Sequence, residues 1–204
     1  MTTGRQSLFL VLEGLDGAGT TTIAGLVATE LRARDLQVCL TAEPTDGPLG
    51  SVLRAHVKCE INLDPQTAAL VFTGDRADHL DRMIRPALRR GQWVVCDRYL
   101  LSTLAYQGAE GVARETVMAA SARFDIPDLT VVLDVPEKVR AERLATRSNT
   151  DRYEDQELSD VLRKSYEESI ALLRAAGHRI DVVDASLAPE MVLADVIGRL
   201  DLPG

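Results

Sequence analysis

Leu8-Phe9-Leu10-Val11-Leu12-Glu13-Gly14-Leu15-Asp16-Gly17-Ala18-Gly19-Thr20-Thr21-Thr22 is the stretch from which the fold is read. An apolar run of strand length ends at Glu13, a glycine-rich turn follows, and helical periodicity begins at Thr21. The phosphate-binding pattern is Gly, four residues, Gly, Lys, then Ser or Thr. Gly14, Gly19 and Thr21 fit it, whereas Thr20 stands where the lysine belongs. Glycines let the backbone curl so that successive N–H groups point at an anion, and the helix start behind them adds partial positive charge. Both survive in Gly14 to Thr22. The full charge of the lysine does not, because a threonine donates a hydrogen bond but neutralises nothing. A glycine-rich turn that binds no ligand is the alternative at this point. The strand before and the helix after favour the phosphate reading.

Working outward, short apolar runs alternate with helical stretches. The strand-like runs are Leu8–Glu13, Gln37–Thr41, Trp93–Cys96, Leu129–Val135 and Arg179–Val183. Helical periodicity covers Thr21–Arg34, Gln66–Arg90, Pro136–Arg147, Leu158–Ala176 and Pro189–Leu200. This alternation predicts an α/β fold, a parallel five-stranded sheet with helices on both faces. Gly91 and Gly177 stand where helices should end. No repeat or linker divides the chain, so residues 1–204 read as one domain. The polar stretch from Arg147 to Gln156 lies between two helices and reads as a lid.

The chain has 204 residues, 23 Lys+Arg against 31 Asp+Glu and a net charge of −8. That length suits one full core, and 46% hydrophobic with 26% charged residues excludes disorder. The acidic balance argues against a large nucleic-acid surface. Cys39, Cys59 and Cys96 are odd in number and lack metal-ligand spacing, so they read as reduced thiols. Leu8–Leu12 is far too short to span a bilayer, and the start is polar. The expectation is a soluble, cytoplasmic protein without a membrane partner.

Further polar groups fall in patterns that bear on chemistry. Phe72 and Arg76 are four apart in a predicted helix and share a face, so a stacking ring and a guanidinium can grip a planar base together. Spacing alone favours the plainer reading, Phe72 in the core and Arg76 solvated. Asp97-Arg98-Tyr99 follows a strand, where open α/β sheets gather ligands. There an Asp can hold a Mg²⁺ water shell and an Arg can clamp a phosphate; a surface ion pair is the alternative. Ser102 shares a helix face with Tyr106, and Thr103 with Gln107. Arg140, Arg143, Arg147 and Arg152 cluster around the lid. His56, His79 and His178 have no zinc spacing, and the hydrolase Gly-x-Ser-x-Gly element is absent.

The order of these motifs resembles the thymidylate kinase (dTMP kinase) family of P-loop nucleoside monophosphate kinases. The matching pieces are Glu13 to Gly19, Thr41-Ala42-Glu43-Pro44, Asp75-Arg76-Ala77, Asp97-Arg98-Tyr99, Ser102 to Gly108, Pro127 to Val135 and Asp151-Arg152-Tyr153-Glu154. The resemblance implies transfer of the ATP γ-phosphoryl to dTMP with Mg²⁺, in a homodimer. It implies that Gly14, Asp16, Gly17, Ala18, Gly19, Thr20, Thr21 and Thr22 cradle ATP, with Thr21 and Asp97 at the metal. Asp16 also approaches the acceptor's sugar hydroxyl or phosphates. Phe72 stacks on thymine, Arg76 bonds its carbonyl edge, Arg98 holds the dTMP phosphate, and Tyr106 presses on the deoxyribose. Thr103 and Gln107 border the base, and Arg147 and Arg152 close over ATP. The departures are Thr20, Ala42 where the family often has Arg, and Thr45-Asp46-Gly47 in place of a glycine-rich continuation. A kinase for another pyrimidine monophosphate, or a nucleotide-binding protein without turnover, are the rival expectations.

Overall fold

The computed structural model describes residues 7–145 and 156–202. Five parallel strands form one sheet in the order β2-β3-β1-β4-β5. They are β1 (Phe9–Glu13), β2 (Val38–Ala42), β3 (Trp93–Asp97), β4 (Leu129–Asp134) and β5 (Ile180–Asp184). Each lies within a residue or so of its sequence expectation. β1 and β3 are buried along their whole length, whereas β2 at one edge is half-exposed. That gradient is why the central strands read as unbroken apolar runs.

Alternation along β1 divides the core in two. Phe9 and Val11 point to one side, and Leu8, Leu10 and Leu12 to the other. The first side is covered by α3 (Pro65–His79), α5 (Leu100–Ala109), α6 (Arg114–Ala120) and α8 (Gln156–Ala175). The second is covered by α1 (Thr20–Ala33) and α9 (Pro189–Gly198). Helices therefore lie on both faces, as expected. Gly91 and Gly177 adopt left-handed φ values of 73° and 89° after their helices, a conformation glycine enters without steric cost.

Two local features were not legible. A helix, α2 (Pro48–Val57), fills a stretch where no periodicity stood out. Its Leu53 is buried while Leu49 and Val52 are exposed, which blurs the apolar stripe. The single helix expected over Gln66–Arg90 is a continuous rod with a π-helical turn at Leu80–Ile84, leading into α4 (Arg85–Arg89). Pro86 lacks the N–H that an α-helix would donate to the carbonyl four residues back, and a wider turn before it accommodates that loss.

The sheet brings three loops together at its carboxyl edge. Leu12 and Ala42 both pair with Asp97 across the sheet. The Arg98 N–H donates to Leu12 O at 2.8 Å, and the Glu43 N–H donates to Asp97 O at 2.9 Å. Residues just beyond β1, β2 and β3 therefore share one crevice, the place where open α/β sheets bind ligands.

Candidate active site

The turn after β1 is held by close backbone approach. A side chain at Gly14 would put its Cβ 2.8 Å from the Leu133 carbonyl and 2.9 Å from Ala18 Cβ. Gly17 has φ 87°, and a Cβ there would meet the Arg140 side chain at 2.9 Å. α1 then starts without a side-chain cap. The first-turn N–H groups of a helix have no partners within it, and Thr20, Thr21 and Thr22 line the crevice, the arrangement of an anion site. Thr20 is 5% exposed at this first turn.

Above the turn lies a cleft of about 410 Å³, lined among others by Asp16, Gly17, Gly19, Thr20, Thr21 and Thr22. Phe72, Arg76, Asp97, Arg98, Thr103, Tyr106 and Gln107 line the same cleft. Every acceptor-side residue expected from sequence is thus gathered in one place. Ala18 borders a second cavity at the same turn. That cavity, of about 220 Å³, is formed by Gly17, Gly19 and Thr22 together with Ile23, Arg143, Leu187 and Pro189. The phosphate turn therefore borders two cavities. Arg143 reaches it from α7 (Glu137–Ala145), with Nη1 3.3 Å from Ala18 O and Nη2 2.9 Å from Ala185 O. Arg147 and Arg152 lie outside the described residues, as does nearly all of the expected lid.

Asp97 ends β3 beside the turn. Its Oδ2 accepts from Thr21 Oγ1 at 2.5 Å. Its Oδ1 is buried with no hydrogen-bond partner among the described residues. A buried carboxylate oxygen left open beside a threonine hydroxyl is an oxygen-donor set that suits Mg²⁺ directly or through its waters. The alternative of a surface ion pair does not hold, since Asp97 is only 8% exposed and its partner is Thr21.

Arg98 adopts a left-handed φ of 68°, a conformation that costs a non-glycine residue about 1–3 kcal/mol when held at a site. It is held by its guanidinium. Nη1 donates to Gly14 O at 2.9 Å and Ser102 Oγ at 3.1 Å, and Nη2 donates to Asp16 Oδ1 at 2.6 Å. The Tyr106 hydroxyl donates to the other Asp16 oxygen at 3.0 Å. Burial raises the Tyr106 phenol well above its ordinary pKa, so this proton stays in place at neutral pH. Asp16, Arg98 and Tyr106 thus form one unit tied to the turn.

Arg76 is buried, not solvated, at 1% exposure. Nε donates to Glu43 Oε2 at 2.9 Å, and Nη2 donates to Thr103 Oγ1 at 2.8 Å. Its guanidinium lies 4.9 Å from the centroid of the Tyr99 ring. Nη1 has no partner among the described residues. With half-buried Phe72 lining the same cleft, this leaves one charged donor and one aromatic ring for a flat ligand bearing an acceptor. Glu43 is fixed in turn by His79, whose Nδ1 lies 3.1 Å from Oε1 and whose Nε2 lies 2.7 Å from Thr41 Oγ1. The departure at Thr45 also has a structural role. Its N–H and hydroxyl donate to the two oxygens of buried Asp75, at 2.8 and 2.5 Å.

Sequence reasoning assigned no role to Glu13, Glu43 or His79. Glu13 is fully buried, and burial raises its pKa against the opposing pull of Arg98. It accepts from Tyr99 N–H at 2.8 Å and from Ser102 Oγ at 2.6 Å, which fixes the start of α5. A charged residue closing an all-apolar strand was the available signal.

The thymidylate kinase family model matches residues 12–196. A thymidylate kinase from Thermomicrobium roseum is 43% identical over 198 residues, covering 94% of this chain and 93% of that protein. A probable thymidylate kinase from Pyrobaculum aerophilum is 39% identical over 188 residues, covering 92% and 93%. One from Caldivirga maquilingensis is 36% identical over 195 residues.

The Glu43–Arg76 pair yields a stability prediction. Glu43→Ala leaves the Arg76 charge buried without its carboxylate, at a cost of about 3–5 kcal/mol. Urea unfolding should show the loss, with a smaller one for Glu43→Gln. A Glu43→Ala midpoint equal to the parent's would remove this pair from the site's framework.

With the sheet order, the phosphate turn, the Asp97-Arg98-Tyr99 corner and these matches in agreement, the chain belongs to the thymidylate kinase family.

Proposed function

We infer that the protein phosphorylates dTMP to dTDP with ATP as donor and Mg²⁺ as cofactor. The observation that supports this most is the open Nη1 of buried Arg76 beside Phe72, in a cleft whose opposite wall is the phosphate turn. Phosphoryl transfer asks a protein for in-line positioning and charge neutralisation more than for covalent help. In this reading thymine stacks on Phe72, and Arg76 donates to its carbonyl edge. Thr103 and Gln107 border the base. Tyr106 packs on the deoxyribose, and Asp16 stands near the 3′-hydroxyl. Arg98 takes the acceptor phosphate while tied to Gly14 and Asp16, so the acceptor is oriented by the same turn that cradles the donor.

Gly14 to Thr22 present backbone N–H groups to the ATP phosphates. The second cavity, lined by Arg143, Leu187 and Pro189 among others, suits the donor base. Thr21 and Asp97 fit a Mg²⁺ ion, which supplies neutralising charge at the phosphates when bound.

Thr20 supplies no cation. Arg147 and Arg152, matched to the family's lid by motif, are proposed to do so, with the lid about residues 147–156 of one domain. The protein is further proposed to be a homodimer. Exposed Leu49 and Val52 on α2 and Leu70 on α3 support that reading. Leu49 lies against Gly74, one turn from Leu70, so α2 and α3 both carry exposed apolar side chains near this contact. No helix among the described residues is long and apolar enough to cross a membrane, and the three cysteines are free. A cytoplasmic location without membrane or nucleic-acid partners is part of the same proposal.

The acceptor assignment is checked with a panel of monophosphates under ATP and Mg²⁺, following ADP release. dTMP should give the highest kcat/KM, and dUMP should exceed UMP. Tyr106→Ala should narrow the dUMP-to-UMP preference while Tyr106→Phe retains it. Binding without turnover, or a preference for another base, would displace the dTMP assignment.

The lid assignment is checked by single-turnover transfer. Arg147→Ala and Arg152→Ala should each slow the step by about 10³-fold, the low end of what one transition-state cation contributes elsewhere. Parental rates in both would mean that another cation replaces the lysine.

For the dimer, Leu70→Asp should shift sedimentation from two copies to one at micromolar concentration. A parent that sediments as a single copy contradicts the proposal outright.

A further inference from the structure

Tyr166 sits on α8 at 4% exposure, among the core side chains between α5 and α8. Its ring meets that of Tyr106 edge to face, with centroids 5.8 Å apart and planes at 83°. A phenylalanine would serve that packing equally well. The hydroxyl is what packing does not explain.

Four polar groups converge on that oxygen. Gly14 O is 3.0 Å away, Ser102 Oγ 3.2 Å, Arg98 Nη1 3.4 Å and Glu13 Oε2 3.4 Å. A phenol has one proton and two lone pairs. Ser102 donates its own proton to Glu13 Oε2 at 2.6 Å, and Arg98 Nη1 is a donor only. The arrangement that satisfies these constraints has Tyr166 donating to the Gly14 carbonyl, its shortest contact, and accepting from Arg98 Nη1 through a hydrogen shared with a nearer acceptor. Burial raises the phenol's pKa, so the proton is retained across the physiological range.

Arg98 Nη1 carries two hydrogens but has four oxygens within 3.4 Å, those of Gly14, Ser102, Tyr106 and Tyr166. Such a ring of acceptors holds a guanidinium in one place. Tyr166 is the member that comes from α8. It is also bonded to the carbonyl on which Arg98 rests.

We propose that Tyr166 is a positioning residue for phosphoryl transfer, its hydroxyl bridging the Gly14 carbonyl and Arg98 so that the guanidinium is held at the phosphate turn. This rests on the reading of Arg98 as the group that takes the acceptor phosphate.

The test is a double-mutant cycle in Tyr166→Phe and Arg98→Lys, with kcat, KM for both substrates and Tm measured for each enzyme. Tyr166→Phe should keep Tm within a few degrees and lower kcat/KM for dTMP roughly 10-fold or more, the scale of one lost hydrogen bond to a charged group. KM for ATP should change much less. In the Arg98→Lys background, Tyr166→Phe should cost little further, because the two act through one contact. Parental kcat and KM in Tyr166→Phe, beside an impaired Arg98→Lys enzyme, would overturn this inference alone. Losses that simply multiply would overturn it too. An Arg98→Lys enzyme with parental constants would overturn the Arg98 assignment, and this inference with it.

Discussion

Arg98 stands at the end of the inner strand β3 in a backbone conformation that ordinary residues avoid, and its guanidinium reaches back to the turn after β1. The contact joins two loops that are 84 residues apart in sequence. It requires β1 and β3 to be neighbours in register, since Leu12 must pair with Asp97 for Arg98 to begin where it does. It also requires Gly14 to lie close under Ala18 and Leu133, where a side chain would not fit. Sheet order, turn geometry and helix start all converge on that one cation. Its partner Asp16 and the hydroxyl of Tyr106 complete the unit.

The second fixed point is the Glu43–Arg76 pair. Both side chains are almost fully buried, at 3% and 1% exposure. Burial of such a pair contributes little net stability compared with apolar packing. What it provides is orientation. Glu43, Thr103 and the Tyr99 face leave one guanidinium nitrogen open in the cleft. Under the proposed function, a donor held in this way is ready to bond a carbonyl oxygen of the base.

Much of the fold is legible in the sequence. The strand, glycine turn and helix from Leu8 to Thr22 are legible because local sequence alone sets them. Asp97-Arg98 announces itself by following a strand. The burial of Arg76 is not legible from spacing, since helical periodicity cannot tell a solvated arginine from one buried against a carboxylate 33 residues earlier. Glu13, His79 and Tyr166 escaped for the same reason: their partners are remote, Gly14 lying 152 residues from Tyr166. α2 escaped because Leu49 and Val52 face outward and break the expected stripe.

A crystal structure with dTMP, Mg²⁺ and a non-hydrolysable ATP analogue tests the central claim most directly. Thymine should lie against Phe72, with a ring carbonyl at hydrogen-bond distance from Arg76 Nη1 and the monophosphate on Arg98. A nucleotide bound elsewhere, or one seated in the cleft with Arg76 Nη1 still unbonded and its phosphate away from Arg98, would contradict the account.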